Sequence, residues 1–116
     1  MDHQVLIVTP ETGWFKYYEI LLRPCGLKLQ HAKNFAEATS AVTKDTVALL
    51  ITENDLPGQD GYQLLHWLSL NRPLIPVILF CETKSTAAVS LTRFFLTKED
   101  LERDLPEAVK QALKLS

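Results

Sequence analysis

Short, continuous runs of apolar residues recur along the chain and restrict its fold more than any other feature. The clearest are Val5–Val8, Val47–Ile51 and Pro76–Phe80, each about as long as a β-strand. Because these runs do not alternate with polar residues, both faces of each predicted strand must be covered. That pattern is typical of a parallel sheet between two layers of helices. Shorter strands are predicted at 28–32 and 94–96.

Amphipathic stretches separate the apolar runs. Apolar residues at helical spacing predict helices at 14–23, 35–44, 61–71, 84–91 and from Thr97 onward. Asn34 is predicted to cap the second of them, with Glu37 three residues on, and Thr97 to cap the last. Five strands that alternate with five helices predict a doubly wound parallel α/β sheet with a short fourth helix. The 116 residues form a single predicted domain, 1–116.

Composition argues against several classes of protein. Twelve Lys and Arg face fourteen Asp and Glu, a net charge of −2, so the basic excess of a nucleic-acid-binding domain is missing. The apolar runs are too short to span a membrane, and the amino terminus lacks the pattern of a signal peptide. Cys25 and Cys81 lie far apart with no CxxC, which predicts neither a zinc site nor a disulfide framework. We therefore predict a cytoplasmic location.

The doubly wound architecture also predicts where functional residues lie. In such sheets, ligands bind beyond the carboxyl ends of the strands, near the point where the strand order reverses. This rule selects the residues at the predicted strand ends: Thr9, Pro10, Glu11, Thr52, Glu53, Asn54, Asp55, Cys81, Glu82, Thr97 and Lys98.

Three segments, in this order, make the chain resemble the receiver domains (CheY-like, flavodoxin-like fold) of bacterial response regulators. LLITENDLPGQDGYQLL (49–65) resembles the family's phospho-acceptor strand with its Pro-Gly and Asp-Gly turns. RPLIPVILF (72–80) resembles the fourth strand and its lead-in, and Lys98 after FFLT (94–97) matches the lysine that follows the fifth strand. The resemblance covers essentially the whole chain.

The resemblance implies a phosphorylation pocket, and this sequence departs from it at most positions. In the family, an Asp accepts the phosphoryl group, and two acidic residues after the first strand hold Mg²⁺. Here Thr9 and Pro10 occupy the acidic positions, Glu53 the acceptor position and Cys81 the hydroxyl position, while the lysine is retained. The sequence therefore predicts a degenerate pocket formed by Thr9, Pro10, Glu11, Glu53, Cys81 and Lys98. A pseudo-receiver of this kind is predicted to have no enzymatic activity, no metal site and no cofactor.

Two interpretations of Glu53 stay open. It is either a carboxylate left after loss of the activity, or a partner of Lys98 that imitates the charge of the phosphorylated form. The three histidines, His3, His31 and His66, form no ligand set by spacing and receive no predicted function.

Aromatic residues crowd the first predicted helix. Trp14, Phe15, Tyr17 and Tyr18 fall within five positions and cannot all face a core, which indicates an exposed or partner-binding patch. The predicted interaction surface consists of Trp14, Tyr18, Phe94 and Phe95. The predicted function is phosphorylation-independent contact with a protein partner in a regulatory pathway. A homodimer and an attached output domain stay open; nucleic acid and membrane are not predicted partners.

Two alternatives belong to other functional classes. A displaced acceptor at Asp55 would make the chain a phospho-accepting receiver, and retained Mg²⁺ binding would reveal it. Thr9–Trp14 faintly resembles the hydroxyl-rich phosphate loop of flavodoxins, which predicts a bound small molecule. Pro10 removes one backbone donor from that loop, and the charge of Glu11 opposes an anion.

Overall fold

The computed structural model describes residues 4–44, 46–53, 61–81, 94–97 and 101–113. The strands are β1 (Gln4–Val8), β2 (Lys28–Ala32), β3 (Leu49–Glu53), β4 (Val77–Cys81) and β5 (Phe94–Thr97). The helices are α1 (Thr12–Leu22), α2 (Phe35–Lys44), α3 (Gly61–Asn71) and α4 (Leu101–Leu113), with a 3₁₀ turn at Arg23–Cys25. The strands form one parallel sheet in the order β2-β1-β3-β4-β5, which confirms the predicted doubly wound architecture. The predicted helix at 84–91 lies outside the described residues.

The sheet separates two hydrophobic cores. Alternate residues of β1 point to opposite faces, so Val5 and Ile7 pack with α1 and α4, whereas Leu6 and Val8 pack with α2 and α3. All four side chains are fully buried. The central strands are therefore covered on both faces, which explains why their apolar residues do not alternate with polar ones.

β3 lies two residues further along the chain than predicted. The apolar run begins at Val47, but β3 begins at Leu49, whose first partner in the sheet is Val5. The Ala48 N–H donates to the Gln4 carbonyl at 2.9 Å just before that first pair. Val47 is buried in the core on the α2 and α3 side without belonging to the strand. β3 continues through Thr52 and ends at Glu53. The Glu53 side chain therefore follows the alternation of side chains between the two faces of the sheet.

Two predicted helix starts need correction. α1 begins at Thr12 rather than at 14, because the helical turn already forms where Phe15 N–H donates to the Glu11 carbonyl at 3.3 Å. Thr97 does not cap the last helix, since it is the final residue of β5 and α4 starts only at Leu101. None of the described helices is long and apolar enough to cross a membrane.

The start of α2 is capped as the sequence predicts. Asn34 Oδ1 accepts a hydrogen bond from the Glu37 N–H at 2.9 Å, and Glu37 Oε1 accepts one from the Lys33 N–H at 3.1 Å. We expect Asn34→Ala to lower the free energy of unfolding by about 1 kcal/mol, because the Glu37 N–H loses its side-chain acceptor at the start of the helix. Urea denaturation measures the loss. Lys33→Ala is the control, because it keeps the backbone N–H, and an equal loss in both variants would contradict the capping role.

Candidate functional site at the carboxyl edge of the sheet

The candidate site lies where the strand order reverses. From β1 the chain crosses to β2 on one side of the sheet and later to β3 on the other, so the reversal lies between β1 and β3. Val8 of β1 pairs with Thr52 of β3 in the register of the sheet. Thr9, directly after β1, and Glu53, at the end of β3, are therefore brought together at the position that such sheets use for ligands.

A hydrogen bond joins these two residues. Thr9 Oγ1 donates to Glu53 Oε2 at 2.7 Å, and Thr9 is completely buried while Glu53 is half-buried. A hydrogen bond to an ionised carboxylate at this length is among the stronger ones that neutral side chains make. The Thr9 hydroxyl oxygen also lies 3.4 Å from the Glu11 N–H, a long contact at the start of α1. A neutral hydroxyl thus binds the carboxylate at a position where the receiver family has an acidic residue.

The backbone of Thr9 is bound by β2. Its N–H donates to the Ala32 carbonyl at 2.9 Å, and its carbonyl oxygen lies 2.9 Å from His31 Nε2. The His31 ring stacks on the ring of Phe15 from α1, with 4.5 Å between centroids and planes 8° apart. Polar and ring contacts therefore connect β2, β1 and β3 at one edge of the sheet.

Tyr18 belongs to the core and not to an exposed surface, which corrects its predicted place in the interaction surface. It lies on the α1 face that points toward Val5, Ile7 and Ile51, and it is fully buried. Burial raises the pKa of the Tyr18 hydroxyl far above its ordinary value, and the negative charge of Glu53 raises it further. Glu53 is consequently close enough to act electrostatically on the core between α1 and the sheet.

Trp14 does keep part of its surface exposed. Its ring lies 5.6 Å from that of Tyr17, edge to face, and 6.4 Å from that of Tyr18. Trp14 and Tyr17 are both half-buried, and Ile20 on the same helix is 61% exposed. The crowding of aromatic residues is therefore resolved by burying Tyr18 fully, while Trp14, Phe15 and Tyr17 are half-buried and pack against the same core.

The other predicted site residues are only partly covered by the structure. Pro10 is half-buried and Glu11 is exposed. Cys81 ends β4 and pairs with Thr97 of β5, which places its backbone at the same carboxyl edge. The side chains of Cys81, Phe94 and Phe95, together with Asn54, Asp55, Glu82 and Lys98, lie outside the described residues, and so does the predicted Glu53–Lys98 pair.

The described part of the site does not fit a magnesium ion. Mg²⁺ takes oxygen ligands in near-octahedral geometry and is usually held by one or two carboxylates. Thr9 contributes a neutral hydroxyl whose hydrogen points at Glu53, and Pro10 has no side-chain oxygen. Within the described ranges no cluster of three or more His, Cys, Asp or Glu side chains could hold a metal. The same hydroxyl contact disfavours the phosphate-loop alternative, because Thr9 Oγ1 already gives its hydrogen to Glu53.

His31 is the site residue that sequence reasoning missed. It lies on an edge strand with mixed polar and apolar residues, and by spacing it pairs with no other histidine. Only the register of β1 with β2 shows that His31 lies beside the end of β1. His31 pairs with Ile7 and Ala32 pairs with Val8, so His31 is close to Thr9, the residue that follows β1. The alternation of side chains along a strand predicts that Leu29 and His31 lie on one face of the sheet. It does not predict that the Thr9 carbonyl is the group that accepts a hydrogen bond from His31.

The strand order β2-β1-β3-β4-β5 belongs to the flavodoxin-like class of doubly wound folds. Three solved structures with high similarity are receiver domains. One, from Methanospirillum hungatei, is a CheY-like response regulator receiver domain protein, 21% identical, with a TM-score of 0.89 over 98% of this chain and 95% of that one. A receiver domain of a signal transduction histidine kinase from Syntrophus aciditrophicus is 26% identical, with a TM-score of 0.86 over 97% and 90%.

The third is the signal receiver domain of an HD domain-containing protein from Pseudomonas fluorescens. It is 23% identical and has a TM-score of 0.87 over 97% of this chain and 88% of that one. No protein-family model and no curated protein matches the sequence. The chain therefore has the fold of response regulator receiver domains.

Proposed function

We propose that the chain is a pseudo-receiver, a receiver-like module that acts by protein–protein contact and does not depend on phosphorylation. The observation that carries the proposal is the hydrogen bond from Thr9 to Glu53 at 2.7 Å. It joins the residue at one acidic position of the family to the residue at the acceptor position. The cytoplasmic location remains part of this proposal and follows from the resemblance.

Phosphoryl transfer to this site is disfavoured for two reasons. An attacking carboxylate oxygen must offer a lone pair, and the hydrogen bond from Thr9 occupies one lone pair of Glu53 Oε2 and lowers the nucleophilicity of that oxygen. The charge that develops on the transferred group must be neutralised, for which such enzymes use Mg²⁺ held by carboxylates. Thr9 and Pro10 supply no carboxylate where the family has two.

The partner surface that we propose includes the exposed part of α1. Trp14 offers a half-buried ring near the site, and large rings with partial exposure are frequent anchors of protein interfaces. Phe94 and Phe95 lie on β5, the opposite edge strand of the sheet. The partner is a protein of a signalling pathway.

Attachment to an output domain is part of the proposal, since the similar receivers are named as domains of an HD domain-containing protein and of a histidine kinase. A homodimer is the other arrangement we propose to test.

The proposal predicts no response to a phosphoryl mimic. We expect the amide NMR spectrum of the chain to stay unchanged on addition of Mg²⁺ with beryllofluoride, because the pocket lacks the acidic ligands that hold the cation. The signals to follow are those of Thr9, Glu11, Thr52 and Glu53. A phosphorylatable receiver domain measured in parallel is the positive control. Saturable shifts at Glu53 would overturn the proposal, and loss of those shifts in Asp55→Asn would identify a displaced acceptor.

A further inference from the structure

Thr9 is held through its backbone as well as through its hydroxyl. A carbonyl oxygen can only accept a hydrogen bond, so the 2.9 Å contact of the Thr9 carbonyl with His31 requires the hydrogen on Nε2. The Thr9 N–H donates at 2.9 Å to the carbonyl of Ala32, which lies on β2 as His31 does. β2 therefore fixes both polar backbone groups of the residue whose hydroxyl binds Glu53.

The imidazole of His31 is itself held in one orientation. The terminal torsion of a histidine side chain is broad, so the ring rotates unless another group packs against it. Phe15 supplies that group, because its ring lies nearly parallel to the imidazole, 8° apart, at a centroid distance of 4.5 Å. A hydrogen bond weakens steeply when the donor turns away from the acceptor. The stack therefore determines how well Nε2–H points at the Thr9 carbonyl.

We propose that His31 is a positioning residue for the Glu53 carboxylate and acts through Thr9. Phe15 orients the imidazole, the imidazole fixes Thr9, and the Thr9 hydroxyl fixes Glu53; we call these four residues the relay. The relay joins the ends of β2, β1 and β3 through protein groups alone. Phe15 and His31 are half-buried, so a protein bound over α1 and β2 would alter Glu53 by displacing them. The inference rests on the proposed function in one respect, that contact rather than phosphorylation regulates the pocket.

The test is an NMR comparison of the whole chain without Mg²⁺. It follows the carboxyl ¹³C shift of Glu53 and the exchange of the Thr9 hydroxyl proton with water. His31→Phe keeps a flat ring against Phe15 but removes the donor, so we expect the ¹³C shift to move and the hydroxyl exchange to rise roughly two- to tenfold, as for one lost neutral hydrogen bond. His31→Gln retains an N–H donor at a similar reach, and we expect it to restore both signals.

Two further measurements make the outcome decisive. In a Thr9→Val background, His31→Phe should leave the Glu53 shift unchanged, and a remaining effect would show that His31 acts by another route and overturn the relay. In the unmodified chain, imidazole ¹⁵N shifts must show the hydrogen on Nε2; a hydrogen on Nδ1 alone would also overturn it, even if a variant failed to fold. Since neither Mg²⁺ nor beryllofluoride is present, this result is independent of the test of the proposed function.

Discussion

Thr9→Val should lower the free energy of unfolding by about 1.5–3 kcal/mol, the range for a lost hydrogen bond to a charged group. Valine has nearly the same shape as threonine, so the buried position stays filled and the main change is loss of the hydroxyl. The half-buried Glu53 carboxylate then loses a donor at 2.7 Å. Urea denaturation near neutral pH measures the loss as a lower midpoint with an unchanged slope.

Thr9→Ser is the matched control for this substitution, because it keeps the hydroxyl and loses one methyl group. We expect it to cost about 1 kcal/mol, the value of a buried methyl or methylene group. The combination of Thr9→Val with Glu53→Ala, read as a double-mutant cycle, isolates the contact between the two side chains, because each single substitution removes it. If the two single losses simply add, the hydrogen bond contributes nothing to stability and the central contact of the site is refuted.

Tyr18 should make the protein lose stability at alkaline pH. The unfolded chain releases the Tyr18 proton near its ordinary pKa of 10.0, whereas burial and the charge of Glu53 keep that proton bound in the folded protein. Above that pH the unfolded state therefore binds fewer protons than the folded state, and the free energy of unfolding falls as the pH rises. The contribution of Tyr18 is fully present below that pH and declines by about 1.4 kcal/mol per pH unit above it.

The measurement compares pH profiles of unfolding for Tyr18→Phe and for the unmodified protein. Two pH units above the ordinary pKa of 10.0, the Tyr18-dependent part should reach about 2.7 kcal/mol. Only the difference between the two profiles counts, because it isolates the contribution of Tyr18. Tyr17→Phe on the half-buried neighbouring position is the control. Parallel profiles for Tyr18→Phe and the unmodified chain would show that Tyr18 ionises equally in both states.

The architecture can be predicted from the sequence because a strand that is buried on both faces has apolar residues at successive positions. Val5–Val8 and the other apolar runs have no polar alternation, which only a covered sheet explains. The exact bounds of a strand are harder to predict, as β3 shows. Val47 belongs to the apolar run because its side chain packs in the core, but it is not part of the strand. The aromatic crowding of α1 indicated a surface but did not identify Tyr18 as the residue that turns inward.

The candidate site was predicted by position and not by contact. The rule of strand ends selects Thr9 and Glu53 among the site residues, but nothing in the sequence shows that they are hydrogen-bonded to each other. His31 is two strands away from Glu53 in the sheet, and its part in the site depends on the register of β1 with β2. Such contacts combine residues that are distant in the chain, which spacing alone does not reveal.

The division of the interior into two cores has a consequence for how the chain can diverge. Glu53 follows Leu49 and Ile51 on the side of α1 and α4, whereas Leu50 and Thr52 face the other side. Substitutions among α2 and α3 can therefore accumulate without touching the carboxylate. The exposed Leu70 and Leu74 lie in and just after α3, on that permissive side. The sheet therefore separates these two exposed leucines from the Glu53 carboxylate.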